Sequence, residues 1–309
     1  MHSTTQPSHR KQRIMMASAI IGLLLVCAIF FALKFLGTRY ATQTISKQIQ
    51  ESGLTPLIHY KKITFDPLTL SPIMHSVAIG NQRHPWLRFS QIKFNALPVN
   101  YPQLDIEFQF DDSQQPLARE TQHLLTMAGI KQLNGHGRFL SKPTGKNIDS
   151  TLTLDIQQIG ELFFTTSLDI LDPNFSLHEL RSDFLASLAL GQLDAMPILY
   201  GESVALHNMS FRFQDNGLTR YVWPNSEKSI NREDNLLFLK ALINKVGLAP
   251  HQSIQADHIA TQVQNFLTTP QRLSFSMMPP HPIKLVTLMS FIQNKSLYQD
   301  SDMNLVARQ

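Results

Sequence analysis

The strongest constraint on the fold is a run of twenty residues without a charged side chain, at positions 14–33. At 1.5 Å per residue, a helix of this length spans ~30 Å, which matches the hydrocarbon core of a bilayer. The alternative is a cleaved signal peptide, whose apolar region is typically only about 7–15 residues long and precedes a small-residue cleavage site. This run is longer and continues into Lys34, Phe35 and Leu36. The sequence therefore predicts a transmembrane helix over residues 14–36, through which the protein is held in a membrane.

The basic residues of the chain are concentrated at its N-terminus. Five of the 27 Lys and Arg residues, and none of the 23 Asp and Glu residues, lie within residues 1–39, which leaves 22 basic against 23 acidic residues in the remainder. A nucleic-acid-binding domain needs a basic face on its folded part, so no nucleic-acid partner is predicted. Arg10, Lys11 and Arg13 precede the apolar run. By the positive-inside rule they favour a cytoplasmic N-terminus and a translocated C-terminal part.

Cysteine usage bears on the compartment. The single cysteine, Cys27, lies inside the apolar run, so residues 40–309 contain none. A disulfide framework and a cysteine-rich zinc module are therefore excluded. A eukaryotic secretory ectodomain of this size usually carries disulfides, so the bacterial periplasm is favoured. The predicted location is the bacterial inner membrane, with the N-terminus cytoplasmic and the C-terminal domain periplasmic.

Beyond the apolar run, the hydrophobic period is that of strands. The clearest strand covers residues 103–111, where apolar residues alternate with Asp105, Glu107 and Gln109, as expected when one face is buried and the other is solvated. Further strands are predicted at 57–65, 71–79, 85–94, 147–157, 161–171, 203–213, 273–277 and 303–307. A 3.6-residue period predicts helices at 118–132, 182–193, 233–246, 253–267 and 283–293. Residues 134–137 are interpreted as a turn, 157–160 as a hairpin, His207 as a bulge and Thr219 as a helix cap.

These patterns predict an α+β fold, in which one transmembrane helix is followed by a β-rich antiparallel sheet with packed helices, more helical toward the C-terminus. Five segments are predicted along the chain. They are a cytoplasmic basic tail at 1–13, the transmembrane helix at 14–36, a juxtamembrane stalk at 37–56, a β-rich periplasmic lobe at 57–175 and a mixed α+β lobe at 176–309. One sheet that crosses the boundary between the two lobes is the alternative.

A search for chemistry assigns no catalytic, cofactor-binding or metal-binding residue. Ser90 and Lys93 have the spacing of a Ser-x-x-Lys nucleophile, but they fall in a predicted strand, whereas that chemistry needs a helix. His251 and His258 are two helical turns apart, too far for one ion without a third element. The sequence also lacks a P-loop, a Gly-x-Gly-x-x-Gly fingerprint and a Gly-x-Ser-x-Gly elbow. An enzyme is therefore the least favoured class, and no cofactor is predicted.

The candidate site is the apolar face of the strand-rich half, which we expect to form a curved antiparallel sheet. Full burial of each large apolar side chain contributes ~1.5–3 kcal/mol, so something must cover this face. Either the chain's own helices close an ordinary core, or part of the face stays open and takes acyl chains. The residues of this candidate groove are Leu104, Ile106, Phe108, Phe110, Leu162, Phe164, Leu168 and Ile170.

The apolar run and the segments after it, 57–65, 66–70 and 77–80, resemble the start of AsmA-like bacterial envelope proteins, which carry one inner-membrane helix and a β-rich periplasmic region. Segments 211–220, 266–270 and 279–282 resemble an uncharacterised family of that layout. The chain departs from AsmA-like proteins in being short and helix-rich toward its C-terminus. The resemblance implies an envelope role only. Together with the missing catalytic motifs and the apolar face, it leads to the predicted function, a non-catalytic envelope protein whose partner is lipid or another hydrophobic ligand. The alternative is a scaffold subunit that binds an envelope protein.

Overall fold

A computed structural model describes residues 9–95, 102–111, 113, 115–192, 194–222 and 232–308. Residues 1–8 of the predicted basic tail lie outside this part of the chain. Its helices are His9–Glu51 (α1), Arg119–Met127 (α2), Leu177–Leu190 (α3), Ala195–Tyr200 (α4), Leu218–Val222 (α5), Arg232–Lys245 (α6), Ile254–Thr268 (α7), Leu285–Gln293 (α8) and Leu297–Asp300 (α9). Its strands are Ile58–His59 (β1), Lys62–Asp66 (β2), Ser71–Gly80 (β3), Pro85–Phe94 (β4), Leu104–Phe110 (β5), Gly135–Thr144 (β6), Asn147–Ile156 (β7), Gly160–Ile170 (β8), Val204–Asp215 (β9), Arg272–Met277 (β10), Ile283–Lys284 (β11) and Met303–Arg308 (β12).

All the described strands belong to one antiparallel sheet. Its order is β1-β3-β4-β5-β6-β7-β8-β9-β10-β12, with β2 paired to β3 and β11 paired to β9. The sheet is continuous across the predicted lobe boundary near residue 175, because β8 pairs with β9 from Gly160 to Ile170. The fold is mixed α+β with an N-terminal apolar helix, which confirms the predicted fold class.

The register separates the sheet into two chemically different faces, because residues directly opposite each other on antiparallel strands share a face. We call the first the apolar face. One row of paired residues crosses it from β5 to β12, and its members are Ile106, Phe139, Leu152, Phe164, Phe211, Phe275 and Leu305. The other is the polar face. Its adjacent row consists of Glu107, Arg138, Thr153, Phe163, Arg212, Ser274 and Val306.

Ion pairing strengthens the polar face. The guanidinium of Arg138 donates from Nε and Nη2 to the two carboxylate oxygens of Asp105, at 2.9 and 2.7 Å. These bonds hold the pKa of Asp105 below its usual range, because they stabilise the ionised carboxylate. Above Phe163, the Arg212 guanidinium lies 5.7 Å from the ring centroid, in cation–π geometry.

Buried side chains collect in two clusters at opposite ends of the sheet. The N-terminal cluster joins α1 to β2, β3, β4 and β5, and its buried members are Ala41, Ile45, Ile63, Met74, Val77, Ile79, Phe89 and Phe110. The C-terminal cluster joins α6 and α7 to β12, and its buried members are Leu239, Ile243, Ala249, Ala256, Ile259, Ala260 and Leu305. Of the described strands between these ends, β7 packs Leu154 and Ile156 against the N-terminal cluster, whereas β6, β8 and β9 contribute to neither cluster.

Helix α1 runs without a break from the apolar segment into the N-terminal cluster. Ala41 and Ile45 are only 1% and 3% exposed. At Gly37 a Cβ atom would lie 2.3 Å from the ring of Phe65, so only glycine allows this close contact between helix and sheet. The backbone N–H of Phe65 also donates to Thr38 Oγ1 at 3.1 Å. The second half of α1 is therefore packed onto the sheet as part of the core.

In the described part of the chain, one helical segment, Leu25–Glu51 of α1, is long and apolar enough to cross a membrane. Its most apolar stretch has a mean hydropathy of 1.4 and is 6% buried. By length and composition alone, the segment has the character of a membrane anchor and equally that of a signal sequence near an N-terminus.

The structure differs from the sequence-based expectation most clearly at residues 134–137. These residues were interpreted as a turn, but Gly135 begins the ten-residue strand β6. Gly135 and Gly137 allow atoms of the neighbouring strands to lie close to the backbone of β6. A Cβ atom at Gly135 would lie 2.1 Å from the Asp155 carbonyl oxygen, and one at Gly137 would lie 2.5 Å from the ring of Phe108. Glycine in a strand marks such contacts as well as turns.

Several local predictions are settled by hydrogen bonds and register. The hairpin at 157–160 is confirmed, since β7 ends at Ile156 and β8 begins at Gly160. The bulge near His207 is confirmed, since the register of β8 against β9 shifts there. The interpretation of Thr219 as a helix cap is wrong. Thr219 lies inside α5, which begins at Leu218, and its own N–H donates to the Asp215 carboxylate at 3.0 Å, as the Gly217 N–H does at 3.1 Å.

Candidate functional site on the apolar face

The structure places all eight residues of the predicted groove on the apolar face. Four lie on β5 and four on β8, and the two sets are joined through paired residues of β6 and β7. Ile106 reaches Phe164 through Phe139 and Leu152. Phe108 reaches Leu162 through Gly137 and Leu154 by the same pairing. The predicted residues therefore belong to one surface, to which Phe139, Leu152 and Phe211 add large side chains.

Burial on this face falls toward the middle of the sheet. Phe110, in the N-terminal cluster, is 6% exposed. Val204 and Leu206, at the start of β9, are also buried. Between these regions the side chains are only partly buried, although they are large and apolar. We call this set the central apolar row, and its members are Ile106, Phe139, Leu152, Phe164 and Phe211.

The incomplete burial follows from where the helices pack. Helix α1 packs on β2 and β3, α3 on β3, α7 on β10 and β12, and α8 on β9 and β11. Within the described residues, no helix packs extensively against β5, β7 or β8, and α3 reaches β6 through Arg181. The central apolar row thus lies between two groups of helices, and part of its surface stays open.

A row of hydroxyl groups lies beside the central apolar row on the same face. Ser141, Ser150 and Thr166 are paired across β6, β7 and β8, two residues along each strand from the apolar side chains. Ser141 is 3% exposed, and its Oγ accepts a hydrogen bond from Ser150 Oγ at 3.2 Å. Thr166 Oγ1 donates to the Asn208 carbonyl at 3.3 Å.

Arg181 of α3 reaches over this hydroxyl row. Its Nη2 donates to the Pro102 carbonyl at 2.8 Å and to both the carbonyl and Oγ of Ser141 at 3.4 Å. Its Nε is buried and has no hydrogen-bond partner in the part of the chain that the structure describes. Burial lowers the pKa of Arg181, since the charged form loses solvation. No Asp or Glu oxygen of the described residues lies within 4.0 Å of this guanidinium.

Helix α3 is fixed over the sheet by further polar contacts. Its N-terminus is capped by Ser176, whose side chain accepts from the Glu179 N–H at 3.2 Å. This cap explains why the helix begins at Leu177, five residues before the predicted start. Tyr200 of α4 donates to the Asp183 carboxylate at 2.6 Å. Burial and this bond raise the pKa of Tyr200, so the phenol stays protonated and holds α4 against α3.

The other sequence candidates lie outside this face or on regular strands. Ser90 and Lys93 both lie in β4, and Ser90 Oγ donates to the Gln109 carbonyl. His258 packs beside the ring of Tyr298. Among the described residues, no three His, Cys, Asp or Glu side chains are grouped to hold a metal ion. A cavity of about 330 Å³ on the polar face is lined by acids and bases together, including Asp155, Glu161, Arg212 and Arg272.

The sequence could not have identified Arg181 as part of this site. Arg181 and Ser141 are 40 positions apart, and their contact depends on where α3 crosses the sheet. Phe139 was missed because the strand that carries it begins with the two glycines described above. Leu152 and Phe211 had an available signal, since both alternate with polar neighbours, but pairing order is needed to align them with Ile106.

The comparisons with known proteins identify a family without assigning a function. A family model described only as "Uncharacterized protein" matches residues 153–307, which make up half of the chain. The match runs from the middle of β7 to β12 and includes the four predicted residues of β8. No curated protein matches the chain.

Proposed function

We propose that this chain, which belongs to the uncharacterised family matched over residues 153–307, is a single-pass bacterial inner-membrane protein that handles lipid or another hydrophobic ligand. Its N-terminus lies in the cytoplasm, its sheet lies in the periplasm, and its envelope role is non-catalytic and AsmA-like. The observation that carries the proposal is the partly exposed central apolar row, between two clusters in which similar side chains are buried.

Physical chemistry favours an apolar ligand on this row. Soluble proteins rarely expose a contiguous apolar patch of several large side chains unless it binds something. Each CH₂ group of an acyl chain transferred onto such a surface contributes ~0.8 kcal/mol. A long chain laid along the row therefore gains enough free energy to bind, and it removes the remaining apolar surface from water.

The packing of α1 places this face at a defined position near the bilayer. The segment proposed to span the membrane ends at residue 36, and Gly37 already contacts Phe65 of the sheet. In this described segment α1 is one continuous helix, so no flexible linker separates the anchor from the sheet there. The ligand is taken from, or delivered to, the membrane that holds the anchor.

Organic extracts of purified fragment 37–309 test the ligand. This fragment keeps Ala41 and Ile45 of the N-terminal cluster, and we expect mass spectrometry to find phospholipid at near-stoichiometric amount. Phe164→Asp should remove that lipid, because a carboxylate on the central row repels acyl chains. The matched control is Phe163→Asp on the adjacent polar face. Phe108 is unsuitable for this test, since its ring packs at 5.3 Å from Phe89 in the core.

Two outcomes of the extraction would count against a lipid role. One is lipid-free wild-type protein. The other is a folded Phe164→Asp variant that retains as much lipid as the Phe163→Asp control.

Reporter fusions at Gln309 test the topology in living cells. We expect an active alkaline phosphatase fusion and a non-fluorescent GFP fusion, because the basic residues before the anchor keep the N-terminus inside. The protein should also stay in membranes after an alkaline carbonate wash and keep its original N-terminus. A fluorescent GFP fusion would invert the topology, and a cleaved N-terminus would identify a signal peptide.

A scaffold role is the second candidate, and an exposed stripe on α6 favours it. Leu237, Phe238 and Leu242 are exposed along this helix, as is Val246 just after its end, while Leu239 and Ile243 face the C-terminal cluster. Such a stripe fits the apolar face of a protein partner. Phe238→Asp separates the two roles. A scaffold loses its co-purifying protein in this variant, whereas a lipid-handling protein keeps its lipid.

A further inference from the structure

We infer that the ligand of the apolar face is an anionic amphiphile, whose acidic head group binds Arg181 beside the hydroxyls of Ser141 and Ser150 while its acyl chain covers the central apolar row. The inference rests on the proposed function and narrows its ligand class. A fatty-acid carboxylate and a lipid phosphate share the required chemistry, namely a negative charge with hydrogen-bond acceptors next to a long apolar chain.

The charge of Arg181 is the first step of the argument. Among the described residues, its three hydrogen bonds go to neutral oxygens, and its buried Nε has no partner. Arg181 is half-buried, and a partly desolvated guanidinium without a carboxylate partner is unfavourable, since the lost solvation is not offset by an opposite charge. Carboxylate and phosphate groups match the planar fork of arginine and bind it through charge-assisted hydrogen bonds. An anion at this position supplies the missing partner.

The second step is the arrangement of polar and apolar groups on the face. Ser141 and Phe139 are two residues apart on β6, and Ser150 and Leu152 are two apart on β7. Alternate residues of a strand lie about 7 Å apart on the same face. The site for the head group is therefore adjacent to the site where the acyl chain begins, as the two groups are in an amphiphile.

The third step concerns the position of the acidic residues relative to the anion, and the length of apolar surface available to the acyl chain. The register places the acidic residues Asp105, Glu107, Asp155 and Glu161 on the polar face, so they do not oppose an anion on the apolar face. From Phe139 on β6, next to the head-group position, the central apolar row continues across β7 and β8 to Phe211 on β9, a distance of three strand spacings or about 14 Å. An extended long acyl chain covers such a distance.

Photo-labelling of the full chain in phosphatidylcholine nanodiscs tests the inference. The probes are diazirine derivatives of palmitate, of hexadecanol, which has the same chain without the charge, and of dipalmitoyl phosphatidic acid. Labelling of β5–β9 peptides is measured against probe concentration. We expect half-saturation at about tenfold lower concentration for at least one anionic probe than for hexadecanol.

Variants of Arg181 separate charge from structure. Arg181→Gln should abolish the preference for the anionic probe, so that this probe and hexadecanol reach half-saturation at similar concentrations, and an unchanged circular dichroism spectrum reports that the protein is still folded. Arg181→Lys should restore part of the preference, since it keeps the charge. Arg212→Gln, the same change on the polar face, should have no effect. Which anionic probe is preferred distinguishes a carboxylate from a phosphate ligand.

Two results would overturn the inference. Equal labelling by all three probes in the wild-type protein, or a full anionic preference in Arg181→Gln, would refute the head-group site and leave a hydrophobic ligand in place. Failure of every probe to label β5–β9 would refute the proposed function as well.

Discussion

Replacing Phe110 with alanine should lower the free energy of unfolding by about 3–5 kcal/mol, whereas replacing Phe164 should lower it by only about 1–2 kcal/mol. Both rings lie on the apolar face. Phe110 is buried and contacts Phe89 and Phe108 with ring centroids 5.3 and 5.7 Å apart. Phe164 is partly exposed, so its truncation to alanine loses less buried apolar surface area and leaves no closed cavity. Urea unfolding of fragment 37–309 measures the difference.

Phe89→Ala provides the internal reference for this comparison. Phe89 is as buried as Phe110, so this substitution should lower the free energy of unfolding by a similar amount. The slope of unfolding free energy against urea should stay constant among the variants, so that the midpoints report stability alone. Equal losses for Phe164 and Phe110 would mean that the central row is covered as completely as the core. The lipid-handling proposal would then lose its structural basis.

The faces of individual strands could be predicted from sequence, because side-chain direction in a strand repeats every two residues. Leu104, Ile106, Phe108 and Phe110 were placed on one face by this rule, and the structure agrees. The rule also identified the face of β8 with Leu162 and Phe164. For each strand taken separately, the rule therefore predicts which residues belong to the candidate surface.

The covering of that surface could not be predicted, since it depends on contacts between distant segments. Alternation is the same whether a helix packs on a strand or not. Arg181 is an ordinary polar residue of α3 in sequence, and it becomes a half-buried cation only because α3 crosses the sheet beside Ser141. Gly135 was interpreted as part of a turn because the close approach of the Asp155 carbonyl becomes visible only once β6 and β7 are paired.

The residues after the apolar run show a related difficulty. Ala41, Ile45 and Ile49 are four positions apart, which is the spacing of any amphipathic helix. This pattern is equally consistent with a stalk above the membrane and with a helix packed on a domain. The contact of Gly37 with Phe65, together with the burial of Ala41, identifies the packed helix.

Introducing a carboxylate where α1 packs on the sheet should therefore lower the stability of the protein strongly. We expect Ile45→Asp to destabilise the protein by about 4 kcal/mol or more, because it removes a buried side chain and places a charge in the N-terminal cluster. Since whole domains are stable by only about 5–15 kcal/mol, much of that margin would be lost. Urea unfolding of fragment 37–309, or limited proteolysis of the full chain in membranes, measures the effect.

Gln43→Asp is the matched control, because Gln43 is exposed on the same helix, two positions before Ile45. It should change stability by no more than about 0.5 kcal/mol, as surface substitutions usually do. If both variants were equally mild, α1 would not be packed on the sheet, and the anchor would be a tether that leaves the sheet free to rotate. A large effect at Ile45 alone means that the anchor fixes the sheet. The apolar face then keeps one orientation toward the bilayer, as exchange of a lipid between the two requires.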